Sequence, residues 1–243
     1  SHGLEQNRLH NINFKAGIFT NFSQDHLDYH KSMKAYLNSK LILFNENLNN
    51  KSKIISDDEI KPFNQLKKIA KKKNIKILEI KKELNKLKNH TLEQISDFKK
   101  KNIAMAIKAV KLCGLKDKHV YKSIKKLKDI SGRLEMVKNY SGDIKVFVDY
   151  AHTPDALLKT LNYLKNNYRE NITLVFGCGG NRDKKKRPLM AKIANKICNK
   201  IYITDDNPRQ ENPKKIRNEL AKYIFKKKIF NIGNRALAIK TAI

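Results

Sequence analysis

Residues 171–225 read NITLVFGCGGNRDKKKRPLMAKIANKICNKIYITDDNPRQENPKKIRNELAKYIF, and the alternation within this stretch decides the fold. "NITLVF" (171–176) is rich in the β-branched and aromatic residues that suit a pleated, buried surface, so it predicts a strand. It runs into the Gly-rich "GCGG", after which apolar residues recur at helical spacing through "RPLMAKIANKIC". "KIYIT" (200–204) predicts the next strand, followed by the polar "DDNPRQENP" and a helix over "KKIRNELAKYIF". Upstream, "DIKVFVDY" (143–150) reads as an earlier strand of the same series. "TPDALLKTLNYLK" then reads as its helix, with Thr153 as N-cap and Pro154 at the first helical position. Strand and helix alternating at this rhythm predict an α/β fold with a mainly parallel, doubly wound sheet. In such sheets ligands collect beyond the carboxyl ends of the strands. Those ends are Asp149–His152, Gly177–Asp183 and Thr204–Arg209, which are also the most polar stretches of this half.

The first half is less regular. "GIFTNF", "KSKIIS" and "IKILEI" predict short strands, while Ser32–Phe44, "FNQLKKIAKKKN", "KKNIAMAIKAVKLCG" and "HVYKSIKKLKDI" predict helices, the third of them ending at Gly114. A boundary is expected near Ile130, giving domains over 1–130 and 131–243. Neither an internal repeat nor a low-complexity linker is present.

Composition narrows the class. A chain of 243 residues, 40% hydrophobic, with ten Phe and nine Tyr, has the material for a packed core. No apolar run approaches the length of a membrane span, and no signal-peptide pattern is seen. The three cysteines, Cys113, Cys178 and Cys198, fit neither a disulfide framework nor a zinc spacing, so a reducing, cytoplasmic compartment is expected. The 53 basic and 23 acidic residues leave a net charge of +30, which raises nucleic acid as a partner. The lysines, however, do not gather on one segment. They recur as runs at 71–73, 99–101, 184–186 and 226–228, and arginine, the better fork for phosphate and bases, is scarce. Dispersed lysine of this kind fits compositional drift better than a basic stripe.

Two features carry candidate chemistry in the first half. At about 100° per residue from Tyr36, Lys40 falls at about 40°, inside the arc that holds Leu37, Phe44 and Leu41. An ammonium on an apolar face must snorkel, pair, lose its proton or be chemically changed. A neutral lysine amine can add carbon dioxide to become an anionic carbamate, a hard oxygen ligand suited to Mg²⁺. Just upstream, His26 stands between Asp25 and Asp28 in "DHLDYH", which reads either as a capped helix start or as further donors for such an ion.

Several longer motifs follow one another in a fixed order: "SHGLEQNRL", "TNFSQDHLDYH", "YLNSKLILF", "SGRLEMV", "VDYAHTPDALLKTL", "FGCGGNRDKKKRPLMAKIA" and "TDDNPRQENP". In these the chain closely resembles the Mur ligases, and within them the type that adds the third peptide residue in peptidoglycan synthesis. The resemblance implies the later part of a central ATP-binding domain, then a Rossmann-like C-terminal ligase domain. It implies an ATP-dependent amide ligase working through an acyl phosphate, with Mg²⁺, on small-molecule substrates, as a monomer without membrane insertion or specific nucleic-acid binding.

The implied roles fall residue by residue. Lys40 would be carbamylated and, with His26, would hold Mg²⁺. Gln6 and Arg8 would touch the UDP-muramoyl dipeptide, with Ser1 at the border of that contact. Arg133 of "SGRLE" would face the ATP phosphates, and Asp149 and His152 the nucleotide. Arg182 with Asp206, Asn207, Pro208 and Arg209 would form the pocket for the incoming amino acid. In the family "DNPR" goes with meso-diaminopimelate rather than lysine, and an arginine fork suits the distal carboxylate that lysine lacks.

Other expectations bound this reading. The opening "SHGLEQNRL" without Met and the closing "NRALAIKTAI", an apolar-periodic helix without a stop signal, suggest a piece of a longer protein. None of the nine glycines begins G-x-x-x-x-G-K-[ST], the phosphate loop the family carries ahead of "SHGL". The N-terminal uridine-binding domain, a glutamate metal ligand and the end of the C-terminal domain are also missing from these residues. The span from Ile80 to Phe98 is shorter than the family pattern. The chain alone is therefore expected to be inactive. The rivals are a related Mur or folylpolyglutamate-type ligase with another amino-acid substrate, and a basic nucleic-acid-binding protein.

Overall fold

The computed structural model describes residues 1–88, 95–124, 126–140, 144–168 and 171–243. Its contacts divide the chain into two units, one made of residues 1–23 and 32–128, the other of 24–31 and 129–243.

In the first unit three strands, β1 (Ala16–Phe19), β2 (Lys53–Ser56) and β3 (Lys76–Glu79), form a parallel sheet in that order, with Ala16 opposite Lys53 and Lys53 opposite Lys76. The helices are α1 (His2–Glu5), α3 (Met33–Glu46), α4 (Phe63–Lys73), α5 (Lys81–Lys88), α6 (Asp97–Leu112) and α7 (Asp117–Ile124). Successive strand residues point to opposite faces, and β2 shows the consequence. Ile54 packs with Phe19, Phe44, Leu66 and Ile69, while its neighbour Ile55 packs with Ile80, Met105, Ile107 and Val120. Both faces of the sheet are covered, which is why "KIIS" reads as continuous rather than alternating apolar sequence. The α3 helix starts where Ser32 Oγ accepts the Ala35 N–H at 3.1 Å.

The second unit holds α2 (Leu27–His30), β4 (Glu135–Asn139), β5 (Lys145–Val148), α8 (Pro154–Tyr168), β6 (Thr173–Phe176), α9 (Lys186–Ile197), β7 (Lys200–Ile203), α10 (Pro213–Ala221), β8 (Ile229–Asn231) and α11 (Arg235–Ala242). β6, β7 and β8 form a parallel sheet in chain order. Ile201 and Ile203 of β7 pack with Leu157, Leu161, Met190, Ala194, Ile216 and Leu220 from α8, α9 and α10. As expected, Thr153 caps α8, its Oγ1 accepting the Ala156 N–H at 3.3 Å.

Two expectations need correction, and one further strand was not foreseen. The strand within 143–150 does not begin the parallel series. Its described part, β5, pairs antiparallel with β4 in a hairpin of its own. β4 escaped detection because Met136 and Val137 are both about half exposed, so "EMVKN" shows no buried-exposed alternation. The helix expected through Ile130 ends at Ile124, with Lys125 outside the described residues. Leu127 and Ile130, 59% and 69% exposed, have no face to bury and so do not extend it. Finally, the three-residue β8 follows a lysine run that masked it, and Phe230 is held by stacking on Tyr202, ring centroids 4.5 Å apart. In the span from Ile80 to Phe98, α5 occupies Lys81–Lys88, and residues 89–94, on which the expected shortening falls, lie outside the described residues.

Candidate functional site

In the first unit, Lys40 sits where the wheel puts it. Its Nζ lies 4.9 Å from the Tyr36 ring centroid and 5.9 Å from that of Phe19, so a half-buried cation rests on two aromatic faces. One residue earlier, Ser39 Oγ donates to the Ser1 carbonyl oxygen at 2.9 Å. This joins the start of α1 to α3 and brings Ser1, expected at the muramoyl contact, beside the neighbour of Lys40. Gln6 and Arg8 lie on the exposed turns after α1, with the Arg8 N–H donating to the Gly3 carbonyl at 2.9 Å.

His26 belongs to the second unit, where Asp25 is the hub. The Asp25 Oδ2 atom lies 3.2 Å from His26 Nε2 and 3.5 Å from His152 Nε2, and its Oδ1 accepts the His26 N–H at 2.9 Å. Burial pushes the Asp25 carboxyl up. The His152 hydrogen bond, the charges of His26 and Lys186 and the His26 amide outweigh it and bring the carboxyl down to about 2. The reciprocal effect raises His152, chiefly through the Asp25 hydrogen bond, and the Tyr150 carbonyl 3.1 Å from Nδ1 adds to it. With an acceptor at each nitrogen, the ring is favoured as an imidazolium donating both ways. Next to the hub, Gln24 Nε2 donates to Asp183 Oδ2 at 2.9 Å, tying the segment before α2 to the loop after β6.

Arg133, Asp149 and His152 converge around Tyr150. The Arg133 guanidinium carbon lies 4.2 Å from the Tyr150 ring centroid, and Asp149 Oδ1 accepts the Ala151 N–H at 2.7 Å, closing the turn that carries Tyr150 and His152. Sequence reading named these three but gave Asp25 only as a flank and left Gln24 out. The adjacency of Asp25 to His26 was the available signal.

The residues expected at the amino-acid pocket stand on the loops beyond β6 and β7. The Gly180 N–H donates to the Asn207 carbonyl at 2.9 Å, and Arg209 NH1 donates back to the Gly180 carbonyl at 2.8 Å. A Cβ on Gly180 would stand 1.8 Å from the Pro208 carbonyl oxygen, so only glycine lets the two backbones meet. The Asp206 side chain accepts the Asn207 N–H at 2.9 Å, and Arg182 projects into solvent from the first loop. Missed entirely were the buried Arg187 and its partner Glu211, which lie behind these loops. The thiols of Cys178 and Cys198 are pushed up by burial to about 11 and about 12, so neither is a nucleophile at neutral pH.

The residues as they stand do not make a cage for a divalent cation. Among the described residues no group of three or more His, Cys, Asp and Glu side chains is placed to hold a metal ion. His26 is turned onto Asp25, and an unmodified Lys40 is itself a cation.

Comparison with known proteins gives concordant matches. The family model for the Mur ligase middle domain matches residues 1–122, and the model for the Mur ligase glutamate ligase domain matches residues 132–243. The UDP-N-acetylmuramoyl-L-alanyl-D-glutamate–2,6-diaminopimelate ligase of Rickettsia conorii is 40% identical over 266 aligned positions, covering 100% of this chain and 55% of that protein. The chain thus spans about half the length of the curated relatives it matches. A solved structure of a protein with the same ligase name is 29% identical, with a TM-score of 0.54, covering 99% of this chain and 54% of that one. A folylpolyglutamate synthase of Mycobacterium tuberculosis complexed with ADP superposes with a TM-score of 0.74 over 96% of this chain and 56% of that one. Its 13% identity makes this a likeness of fold alone.

Proposed function

Because the chain belongs to the Mur ligase family, we propose that the protein of which it forms part couples meso-diaminopimelate to UDP-N-acetylmuramoyl-L-alanyl-D-glutamate at the expense of ATP. What supports this reading is the pair of arginines, Arg182 and Arg209, on the loops beyond β6 and β7. Arg209 uses NH1 to grip the Gly180 carbonyl, its Nε and NH2 make no hydrogen bond among the described residues, and Arg182 stands on the facing loop. Such a pair suits an amino acid with a carboxylate at its far end.

The reaction follows from the substrates. A carboxylate oxygen of the muramoyl peptide attacks the γ-phosphorus of ATP, the bond to ADP breaks, and an acyl phosphate forms. The amine of diaminopimelate adds to the acyl carbon and loses a proton, and phosphate leaves as the amide forms. Arg133, Asp149 and His152 are assigned to the nucleotide. Arg133 is stiffened by its stacking on Tyr150, so its charge is available for the phosphates with little further ordering. Ser1, Gln6 and Arg8 are assigned to the muramoyl substrate, and Asp206, Asn207 and Pro208 with the two arginines to diaminopimelate. Mg²⁺ is assigned to His26 and a carbamylated Lys40. When bound, it neutralises phosphate charge. The carbamate would replace a cation by an anionic oxygen donor, the change that the unmodified residues need. A monomer working in the cytoplasm, where ATP is found, completes the proposal. Among the described residues no helix is long and apolar enough to cross a membrane.

Phosphate release by the whole protein tests this, with ATP, the UDP-muramoyl dipeptide and either meso-diaminopimelate or L-lysine supplied. Turnover is expected with diaminopimelate and little with lysine. A preference for lysine or for a folate substrate would overturn the assignment. The 243 residues alone, which carry no phosphate loop, are expected to release none.

A further inference from the structure

Arg187 and Glu211 have no part in the chemistry above, yet they lie in a densely bonded ion cluster among the described residues of the second unit. The Arg187 side chain is only 2% exposed. Its NH1 donates to Glu211 Oε2 at 3.1 Å and to Glu219 Oε2 at 2.8 Å, and its NH2 to Glu211 Oε1 at 2.9 Å and to the Gly179 carbonyl at 3.2 Å. With both terminal nitrogens doubly engaged, the guanidinium has no NH1/NH2 fork to offer a carboxylate. Glu211 in turn accepts the Asn181 N–H at 2.6 Å and pairs with Lys184 at 3.2 Å. With Lys184 and Glu219 included, two cations face two anions, so the cluster adds no net charge with which to attract a carboxylate.

Its location shows what it does. Glu211 stands two residues after Arg209, and the amide it accepts belongs to the residue before Arg182. One carboxylate therefore fastens both arginine-bearing loops from behind. Asn181 and Arg209 are both left-handed, at φ 49° and 50°, a conformation that non-glycine residues keep only where their surroundings hold it. Arg187 adds the Gly179 carbonyl to the same clasp. We propose that Arg187 and Glu211 are a positioning pair for the amino-acid pocket, holding Arg182 and Arg209 at the separation that receives the distal carboxylate of the amino-acid substrate.

The inference rests on the ligase reading of this site, and the experiment separates the two. Steady-state kinetics of the whole protein are measured for Glu211→Ala, for Glu211→Gln, and for the double variant Arg187→Met/Glu211→Leu. The double variant removes the buried charges together and so avoids leaving either uncompensated. Expected for Glu211→Ala and the double variant is a KM for diaminopimelate raised about 10-fold or more, as loss of alignment produces, with KM for ATP and for the muramoyl dipeptide unchanged. Glu211→Gln, which still offers an oxygen to the Asn181 amide, is expected to recover part of the loss. If Glu211→Ala does not fold, the other two variants decide by the same readout. Unchanged KM for diaminopimelate, or an equal decline in every constant, overturns the positioning role. A wild-type protein that couples no diaminopimelate overturns the ligase reading instead.

Discussion

Lys40 poses the sharpest question at the scale of a single residue. A simple snorkelling lysine and a carbamate precursor both place an amine against Tyr36 and Phe19, but they respond differently to Lys40→Arg. Arginine keeps the cation and the contact with the ring faces, yet it cannot form the carbamate. If the carbamate is required, kcat/KM of the whole protein falls by about 100-fold or more, on the scale of losing one charge-stabilising group. Retention of near wild-type activity would leave only the packing role. Glu211 offers a second test, through pH. Arg187 holds its carboxyl at about 2, with Asn181 and Lys184 assisting and burial opposing, against an ordinary value of 4.5. A depressed carboxyl contributes stability above its unfolded-state value and loses it as pH falls through the folded one. The stability advantage of wild type over Glu211→Gln is therefore expected to be full at about pH 6 and to shrink steadily toward about pH 2 in denaturant titrations. A constant difference would show that the charge is not what matters. Lys40 could be seen in the sequence because its apolar neighbours lie within two turns of helix. Arg187 and Glu211, like Gln24 and Asp183, could not, because their partners are brought close only by the finished fold.

Elements were legible where burial imposed a period. β6, α9, β7 and α10 alternate in sequence as they do in space, since Leu174 and Phe176 of β6 and Ile201 and Ile203 of β7 bury apolar side chains against the helices that follow them. The β4–β5 hairpin, with Met136, Val137 and Val148 about half exposed, carries no such imprint, and so its antiparallel pairing was invisible. "GCGG" was legible as a strand exit but not as a contact, because the demand for glycine comes from Pro208 on another loop. That demand makes a prediction at this scale. Gly180→Ala must push apart the loops after β6 and β7, at a cost of about 1–3 kcal/mol by the usual measure of overpacking. A lower denaturant midpoint together with a raised KM for diaminopimelate is expected. Gly114→Ala has an open site but a φ of +95°, so it is expected to lose stability through backbone strain alone and to leave that KM as it was. Equal effects of the two substitutions on KM would refute the stitched-loop account.

The whole molecule presents a net charge of +30 that the proposed chemistry does not require. Its distribution decides what it can do. The run at 71–73 ends α4, that at 99–101 lies in α6, that at 184–186 enters α9, and that at 226–228 forms a short turn before β8. Part of the charge is also spent internally. Lys101 is shared by Asp57 and Glu59, and Lys108 and Lys111 both face the buried Glu83. Binding to DNA or RNA releases counterions in proportion to the phosphates neutralised, so affinity falls steeply with salt only when many cations meet one backbone at once. The runs are divided between two elements of each unit, and no single element carries a long basic stripe of the kind that meets many phosphates at once. Retention on duplex DNA at about 50 mM salt, indifferent to sequence, with a slope of about three phosphates or fewer and loss by about 200 mM, is the expected behaviour. Phosphate release by the whole protein should be untouched by DNA at physiological salt. Binding in the nanomolar range at that salt, with a slope of about six phosphates or more, would mean a concentrated basic surface and would restore the nucleic-acid reading.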